Sequence, residues 1–417
     1  MRDPMRDPDA LVIGGGVVGL FCAYHLRRAG VSVAVLERGP VGGPQSCSAG
    51  NTGFIGTHGA APLAEPGLLR SALRRDGPLY VKPRWDPGLL RWLWQLHRSN
   101  DEVVPVLLDL KKRSLEILRE VCASGRLAGT YAEPGMIVAY RTPQGFEQAC
   151  RSVPTLAARG VPMRVLDPAE LSDLEPDLEF DICGATYNEE GAYLRVPDFL
   201  RELSQALQDM GVEIHPHTEA VDFEVAGRTL RQVRTTRGDF RPKVVILAGG
   251  AWSARCARKL DIEMLLQPVK GHAVTVRGTA PRRPLTLGED RVAIAPTGDG
   301  FRIGGVRELV GLDSSVSRHR VDGMLRTVGR YLPQLEHAAP PEVWSGLRPT
   351  TPDSLPFVGR AEPYQNLYIA CGHGHIGMGL APASGRLLAQ LVAGEAPDLD
   401  PVPFRVSRYD RRERHQR

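Results

Sequence analysis

Residues 10–37 read ALVIGGGVVGLFCAYHLRRAGVSVAVLE, and the fold is decided there. A short apolar run, 10–13, enters Gly14-x-Gly16-x-x-Gly19, and a helical stretch continues to Ala29. Gly30 stops that helix, a second apolar run fills 31–36, and Glu37 stands 18 positions beyond Gly19. Gly14 permits a tight turn. Gly16, with Val17 and Val18 beside it, lets backbone approach a pyrophosphate, and Gly19 lets helix and strand pack closely. The N–H groups and dipole of the helix start then face the phosphates, while the Glu37 carboxylate can accept ribose hydroxyls. A lone GxGxxG often marks only a turn. Here strand, turn, helix, strand and acid stand in register, which specifies a dinucleotide site for FAD or NAD.

The motif opens the chain, so the remaining sequence has to complete the dinucleotide domain and add a substrate domain, an order that favours FAD. The 417 residues suggest two or three domains. A composition that is 42% apolar and 24% charged supports a sizeable core. A net charge of +4, without a Lys/Arg block or an aromatic-interleaved basic stripe, argues against a nucleic-acid partner. The seven cysteines are scattered and free of CxxC pairs, which suits a reducing compartment and excludes a zinc or iron–sulfur cluster. No metal site is expected. No apolar run reaches the ~18 residues of a membrane span, and no signal peptide precedes the first strand, so the expected location is cytoplasmic. Residues 1–8 and 405–417 read as flexible tails.

Beyond the first unit, Gly42 to Gly53 is a run of small residues that would let backbone lie against a flat ligand. A second domain is expected to begin in the Trp-rich stretch near 85, followed by a charged helical pattern over 103–121. Strands are expected near 135–142 and 161–166, a helix over 196–210, and a meander over 212–236. The continuous apolar strand Val244–Leu247 runs into Ala248-Gly249-Gly250-Ala251-Trp252-Ser253, as in a strand buried on both faces of a parallel sheet. Further strands at 271–277, 291–296 and 301–306 suit an antiparallel sheet. The last informative region holds Gly346-Leu347-Arg348-Pro349-Thr350-Thr351-Pro352-Asp353. It continues through a strand at 367–370 into Cys371-Gly372-His373-Gly374-His375-Ile376-Gly377-Met378-Gly379, ahead of a helix over 381–391. This strand, glycine turn and helix start form a second ready-made anion site.

Together these regions resemble the D-amino-acid oxidase/glycine oxidase superfamily of FAD oxidoreductases, most closely its bacterial D-amino-acid dehydrogenase subfamily. The pairing of Arg348-Pro-x-Thr-Pro-Asp353 with the Gly372-His373-Gly374 turn is the specific part of that likeness. The resemblance implies a Rossmann-like FAD-binding domain of the glutathione-reductase type, α/β in class, built from 9–80, 165–260 and 345–400. An α+β substrate domain on an antiparallel sheet would be inserted as 81–164 and 261–344. Position by position, Glu37 and Arg38 would hold the adenosine ribose, and Gln45, Ser46, Ser48, Gly50, Asn51 and Thr52 would line the flavin and its phosphates. Val221 would offer backbone to adenine, Gly249 would abut the cofactor, and His373 through Gly379 would wrap the flavin ring. Arg348 matches the carboxylate-binding arginine. Where glycine oxidases carry a second arginine, this chain has His375. The positions of covalent flavin attachment in other members are taken here by Ser48 and the 346–350 run, so the FAD is expected to be non-covalent.

Oxidising an amine to an imine requires a Cα–H aimed at flavin N5, a neutral amine and a clamped carboxylate. Arg348 supplies the clamp through its planar fork, and orientation then supplies the rate. His373 and His375 are candidates to tune flavin or touch substrate. Cys47 and Cys371 read as small packing residues, and Tyr187 and Tyr193 as candidates to close the pocket. The expected activity is oxidative deamination of D-amino acids, D-proline and D-hydroxyproline among them, with electrons passing to a quinone or a dye. Alternative readings are an oxygen-using glycine or sarcosine oxidase, and the flavin subunit of a hetero-oligomer that is inactive alone. The Trp85–His97 stretch reads as a helix buried against the substrate sheet or as a peripheral contact with the inner face of the membrane.

Overall fold

Two sheets organise the chain, and the first grows out of the strand Ala10–Ile13. In this computed structural model, which describes residues 7–57, 79–98, 102–335 and 342–410, all four residues of that strand are buried. The sheet order is Glu213–His215, Val33–Leu36, Ala10–Ile13, Val244–Leu247, Leu367–Cys371 and Phe357–Arg360. Every pairing is parallel except the last. Helices Val17–Arg28, Val196–Asp209 and Gly377–Ala393, with Val103–Cys122 beyond them, cover one face through a single apolar core. The hairpin Ala220–Ala226/Thr229–Thr235 and residues 257–266 cover the other. Burial on both faces is why these strands read as unbroken apolar runs.

The second sheet has the path Glu342–Thr350, Gln267–Arg277, Gly300–Leu309, Val292–Thr297, Leu285–Leu287, Met136–Tyr140, Gly184–Asn188 and Met163–Leu166. It is antiparallel apart from two pairings: Leu285–Leu287 with Met136–Tyr140, and the short strand Tyr80–Val81 with Gly300–Leu309. Helix Arg318–Tyr331 packs on one face.

Four expectations change. Residues 165–188 are expected in the cofactor domain, but strand Gly184–Asn188 pairs with Met136–Tyr140 and with Met163–Leu166, so this stretch belongs to the second sheet. Likewise the strand through Arg348 pairs along its whole length with Gln267–Arg277, so that boundary moves from 345 to 350. The meander over 212–236 splits. Glu213–His215 joins the parallel sheet beside Val33–Leu36, and only the hairpin is antiparallel. Residues 405–410 are not a loose tail, because Arg408 is seated on Asp353 at 2.9 Å and over the Phe357 ring at 4.1 Å. Residues 1–6 and 411–417 lie outside the described residues. In helix Pro87–Arg98, Trp92 is fully buried and donates its indole N–H to the Thr350 carbonyl at 2.9 Å, while Trp94 and the preceding Trp85 are exposed. No described helix is long and apolar enough to cross a membrane.

Helices Val17–Arg28 and Gly377–Ala393 cross at Gly385, where an added Cβ would sit 2.6 Å from the Phe21 carbonyl carbon. Backbone cannot yield as a side chain can, so overpacking is costly. Gly385→Ala should lower stability by about 1–3 kcal/mol, read as a shift of the urea midpoint at constant m. An unchanged midpoint would show that the crossing tolerates the methyl.

Candidate cofactor and substrate site

The carboxyl ends of the parallel strands open on a long cleft, the place where open α/β sheets bind ligands. It encloses about 1090 Å³ of empty space, its solvent-open mouth included. Gly14, at φ +118°, turns the chain where a Cβ would stand 2.4 Å from the Ala248 carbonyl oxygen. Glu37 closes the turn, accepting from Gly15 N–H at 2.8 Å and Gly39 N–H at 3.2 Å. Ser48 Oγ accepts from Val17 N–H at 3.1 Å, which ties the small-residue loop to the helix start. The Arg38 guanidinium lies 3.5 Å over the Trp252 ring, and both residues line the cleft.

Most of the expected cofactor residues meet here. Gly14, Gly16, Val17, Val18, Glu37, Arg38, Gln45, Ser46, Ser48, Asn51, Gly249, Gly374, Gly377 and Met378 all line the cleft, together with His373. Six do not. Gly19 lies behind the turn, where a Cβ would meet the Gly14 oxygen at 1.9 Å; its task is close packing of helix on strand. Gly50 and Thr52 face a second cleft. Val221 is exposed, and the irregular register between Ala220 and Asp222 leaves Thr218, Glu219 and Ala220 on the wall instead. Ile376 packs into the helical core, and Gly379 faces Phe54 and Ile55.

The second, smaller cleft adjoins the first, and Cys47, Asn51 and Gly374 line both. Arg348 reaches it from the edge strand of the second sheet. Its guanidinium lies across Gly271, where a Cβ would be only 2.2 Å from Arg348 Cζ. Its donors go to the Val306 carbonyl at 2.8 Å and the Gly305 carbonyl at 3.3 Å. Those carbonyls leave the ladder because two residues, Val306 and Arg307, oppose Gly271 between the pairs Lys270↔Glu308 and His272↔Gly305. This is a β-bulge, which disrupts the ladder and re-aims side chains. Val306 adopts φ +64°, a genuine outlier for a β-branched residue. Burial pulls the Arg348 pKa below its usual value, yet a guanidinium stays charged in proteins.

The two histidines differ. His373 is buried, its Nε2 is 3.0 Å from Ser384 Oγ, and its Nδ1 has no partner among the described residues. Burial lowers its pKa to about 3, so it is neutral near pH 7. His375 opens onto the second cleft. Desolvation within the fold, then the charges of Arg307, Arg348, Lys111 and Arg291, shift its pKa downward, but the ring is exposed to solvent, which damps these effects. The buried His373 ring is not a cation at neutral pH. Tyr187 and Tyr193 line neither cleft; the Tyr187 hydroxyl is spent on the Pro134 carbonyl at 2.8 Å.

Sequence reading missed the residues that brace the small-residue loop. Arg302 donates to the carbonyls of Ala49 at 2.7 Å and Asn51 at 3.3 Å and to Thr275 Oγ1 at 3.2 Å. Trp344 lies flat on Gly50 and donates to the Pro44 carbonyl at 2.7 Å. Gly271 was missed as well, although a glycine inside a strand signals a bulge or a close approach.

The residues fit FAD. The glycine turn is a cradle that a Cβ would fill, the helix starts at Val17 and Gly377 carry no side-chain cap from their own N-cap residues, and the orphaned His373 Nδ1 belongs to a cleft-lining residue. When Gly271→Ala is made, the guanidinium of Arg348 must move while the first cleft is untouched. The variant should retain its flavin absorbance and lose roughly a hundred-fold in turnover, the scale of a misplacement near 1 Å. Normal turnover would mean that the guanidinium position is not critical.

The family described as FAD dependent oxidoreductase (DAO) matches residues 9–391. A D-amino acid dehydrogenase of Methylobacterium radiotolerans is 33% identical over 421 residues, covering 96% of this chain and 99% of that protein. One from Agrobacterium fabrum is 29% identical over 428 residues, covering 95% and 99%. Among solved structures, glycine oxidase from Geobacillus kaustophilus superposes with a TM-score of 0.76 at 25% identity, covering 97% of this chain and 99% of that one. L-proline dehydrogenase from P. horikoshii shares the fold at 20% identity, with a TM-score of 0.74 over 97% and 98% of the two chains. The match takes in both sheets and both clefts, and the chain belongs to the DAO family of FAD-dependent oxidoreductases.

Proposed function

We propose that this chain oxidises D-amino acids at the α-carbon, D-proline and D-hydroxyproline among the substrates to be tried, to an imino acid; water converts the imine of a primary amine to a 2-oxo acid and ammonia, whereas the cyclic imine of a proline keeps its nitrogen. One observation carries this reading. Arg348, bulge-held and lining the smaller cleft, sits next to the cofactor cleft with no carboxylate of the described chain bonded to it. Bound FAD supplies the two-electron acceptor that takes the Cα hydrogen with its electron pair. The chain's own residues do the rest. Arg348 holds the substrate carboxylate through its fork, and the Gly305 and Val306 carbonyls fix the fork's plane. The amine must lose one proton before its nitrogen lone pair can form the C=N bond. His375, whose cationic form the neighbouring arginines disfavour, accepts a hydrogen bond from the amine and is a poor store for that proton, which passes to water. The names of the curated relatives support the D configuration. A carrier such as a quinone is the proposed acceptor, and dye reduction against oxygen consumption separates it from oxygen.

The FAD is proposed to be non-covalent. Burial pushes the Cys47 thiol up to about 11 and the Cys371 thiol to about 12, so neither is a thiolate nucleophile at neutral pH. Acid precipitation should release the yellow colour to the supernatant; colour kept in the pellet would refute the assignment.

Replacing Arg348 with Ala tests the clamp. Truncating one partner of a buried charge pair costs about 2–5 kcal/mol, and ~1.4 kcal/mol is tenfold. Apparent affinity for D-amino acids should fall by roughly thirty-fold to several thousand-fold, with FAD retained and esters much less affected. Equal losses for acid and ester would make Arg348 a structural residue.

A further inference from the structure

His373 lines the cofactor cleft, and an isolated antiparallel bridge to Thr350 pins its backbone. The residue is buried. On one side Nε2 lies 3.0 Å from Ser384 Oγ, which helix Gly377–Ala393 carries. On the other side Nδ1 has no partner among the described residues. Burial keeps the ring neutral near pH 7, so one ring nitrogen holds a proton and the other a lone pair. The Ser384 hydroxyl decides which. Ser384 is fully buried, and His373 Nε2 is the only partner of its Oγ among the described residues. If Nε2 held the proton and donated it, the hydroxyl hydrogen and the Nδ1 lone pair would both be left unmet. If the hydroxyl donates to Nε2, only the Nδ1–H is left. Each unmet buried polar group is costly, and the second arrangement has one fewer.

We infer that Ser384 fixes His373 as the Nδ1–H tautomer and that this N–H donates to the flavin ring system, where it favours the reduced state. Hydride transfer turns the neutral oxidised ring into an anion. A donor beside that ring stabilises the charge, whereas a lone pair would oppose it. Hydrogen bonds to a charged acceptor are stronger than those to a neutral one, so the contact is worth more to reduced flavin than to oxidised flavin. The helix start at Gly377, which lines the same cleft, acts in the same sense. Ser384 is then a positioning residue that works through His373, whichever amino acid is the substrate.

The test uses the purified, FAD-loaded enzyme with isotope-labelled histidine. Nitrogen NMR tells a protonated ring nitrogen from a bare one, and the His373 signals are assigned by their loss in His373→Leu or His373→Asn. In the parent, Nδ1 should be protonated and Nε2 bare, and the Nδ1 signals should move when dithionite reduces the flavin. In Ser384→Ala the Nε2 signal should shift to that of a nitrogen accepting no hydrogen bond. The flavin midpoint potential, read against a reference dye, is the second measurement. His373→Leu should weaken reduction by roughly tenfold, which is ~30 mV for a two-electron couple. Ser384→Ala should lose a smaller part, because Oγ no longer polarises the ring. His373→Asn, whose amide can donate from near the place of Nδ1, should keep more of the potential than His373→Leu. Flavin absorbance reports whether each variant is folded, and the parent's own spectra decide the tautomer. A parent ring protonated at Nε2, Nδ1 signals indifferent to flavin reduction, an unmoved Nε2 signal in Ser384→Ala, or an unchanged potential in flavin-loaded His373→Leu overturns the inference.

Discussion

Helix Val17–Arg28 lies against strand Ala10–Ile13 with no side chain between them at Gly19, and everything around the cofactor cleft follows from that approach. A single Cβ at Gly19 would come within 1.9 Å of the Gly14 oxygen and one at Gly14 within 2.4 Å of the Ala248 oxygen. Two neighbouring strand ends and a helix start are therefore brought within backbone distance of each other. The helix N–H groups, the Glu37 carboxylate and the Ala248–Trp252 turn converge on one cleft for that reason. At Gly385 the same helix is met equally closely by the C-terminal helix, whose start supplies the cleft's far wall.

The second sheet is joined to that cleft by contacts to the small-residue loop. Arg302 and Trp344 grip carbonyls of the small-residue loop from the sheet side, and Asn51 Nδ2 donates to the His375 carbonyl at 3.1 Å. The loop is thus fixed between the two units, and it forms the partition between the two clefts. Electrostatics sharpen the division. The larger cleft presents the helix starts at Val17 and Gly377, the Arg38 guanidinium and a neutral, buried His373, whereas the smaller one is lined by Arg291, Arg307 and Arg348.

Backbone strain at Val306 belongs to the same design. A β-branched residue at φ +64° costs of order 1–3 kcal/mol and persists because the bulge is over-determined by the strands on either side. Its effect is to free two carbonyls exactly where a guanidinium needs acceptors.

The cofactor domain was legible in the chain because its signals are local. A turn that only glycine can make, an apolar strand before it and an acid after the next strand all lie within one supersecondary unit. Arg348, His373 and His375 were legible for a similar reason, since each sits in a short Pro- or Gly-rich segment. The partition of residues 165–188 and 345–350 between the sheets was not, because strand pairing joins residues that are far apart in the chain. Nor were Gly271 and the bulge opposite it, whose meaning appears only when three strands are laid side by side. The convergence of Arg291, Arg307 and Arg348 on one cleft belongs to the same class. Arg291 and Arg307 stand in no motif that marks them, and only the tertiary structure brings them beside Arg348.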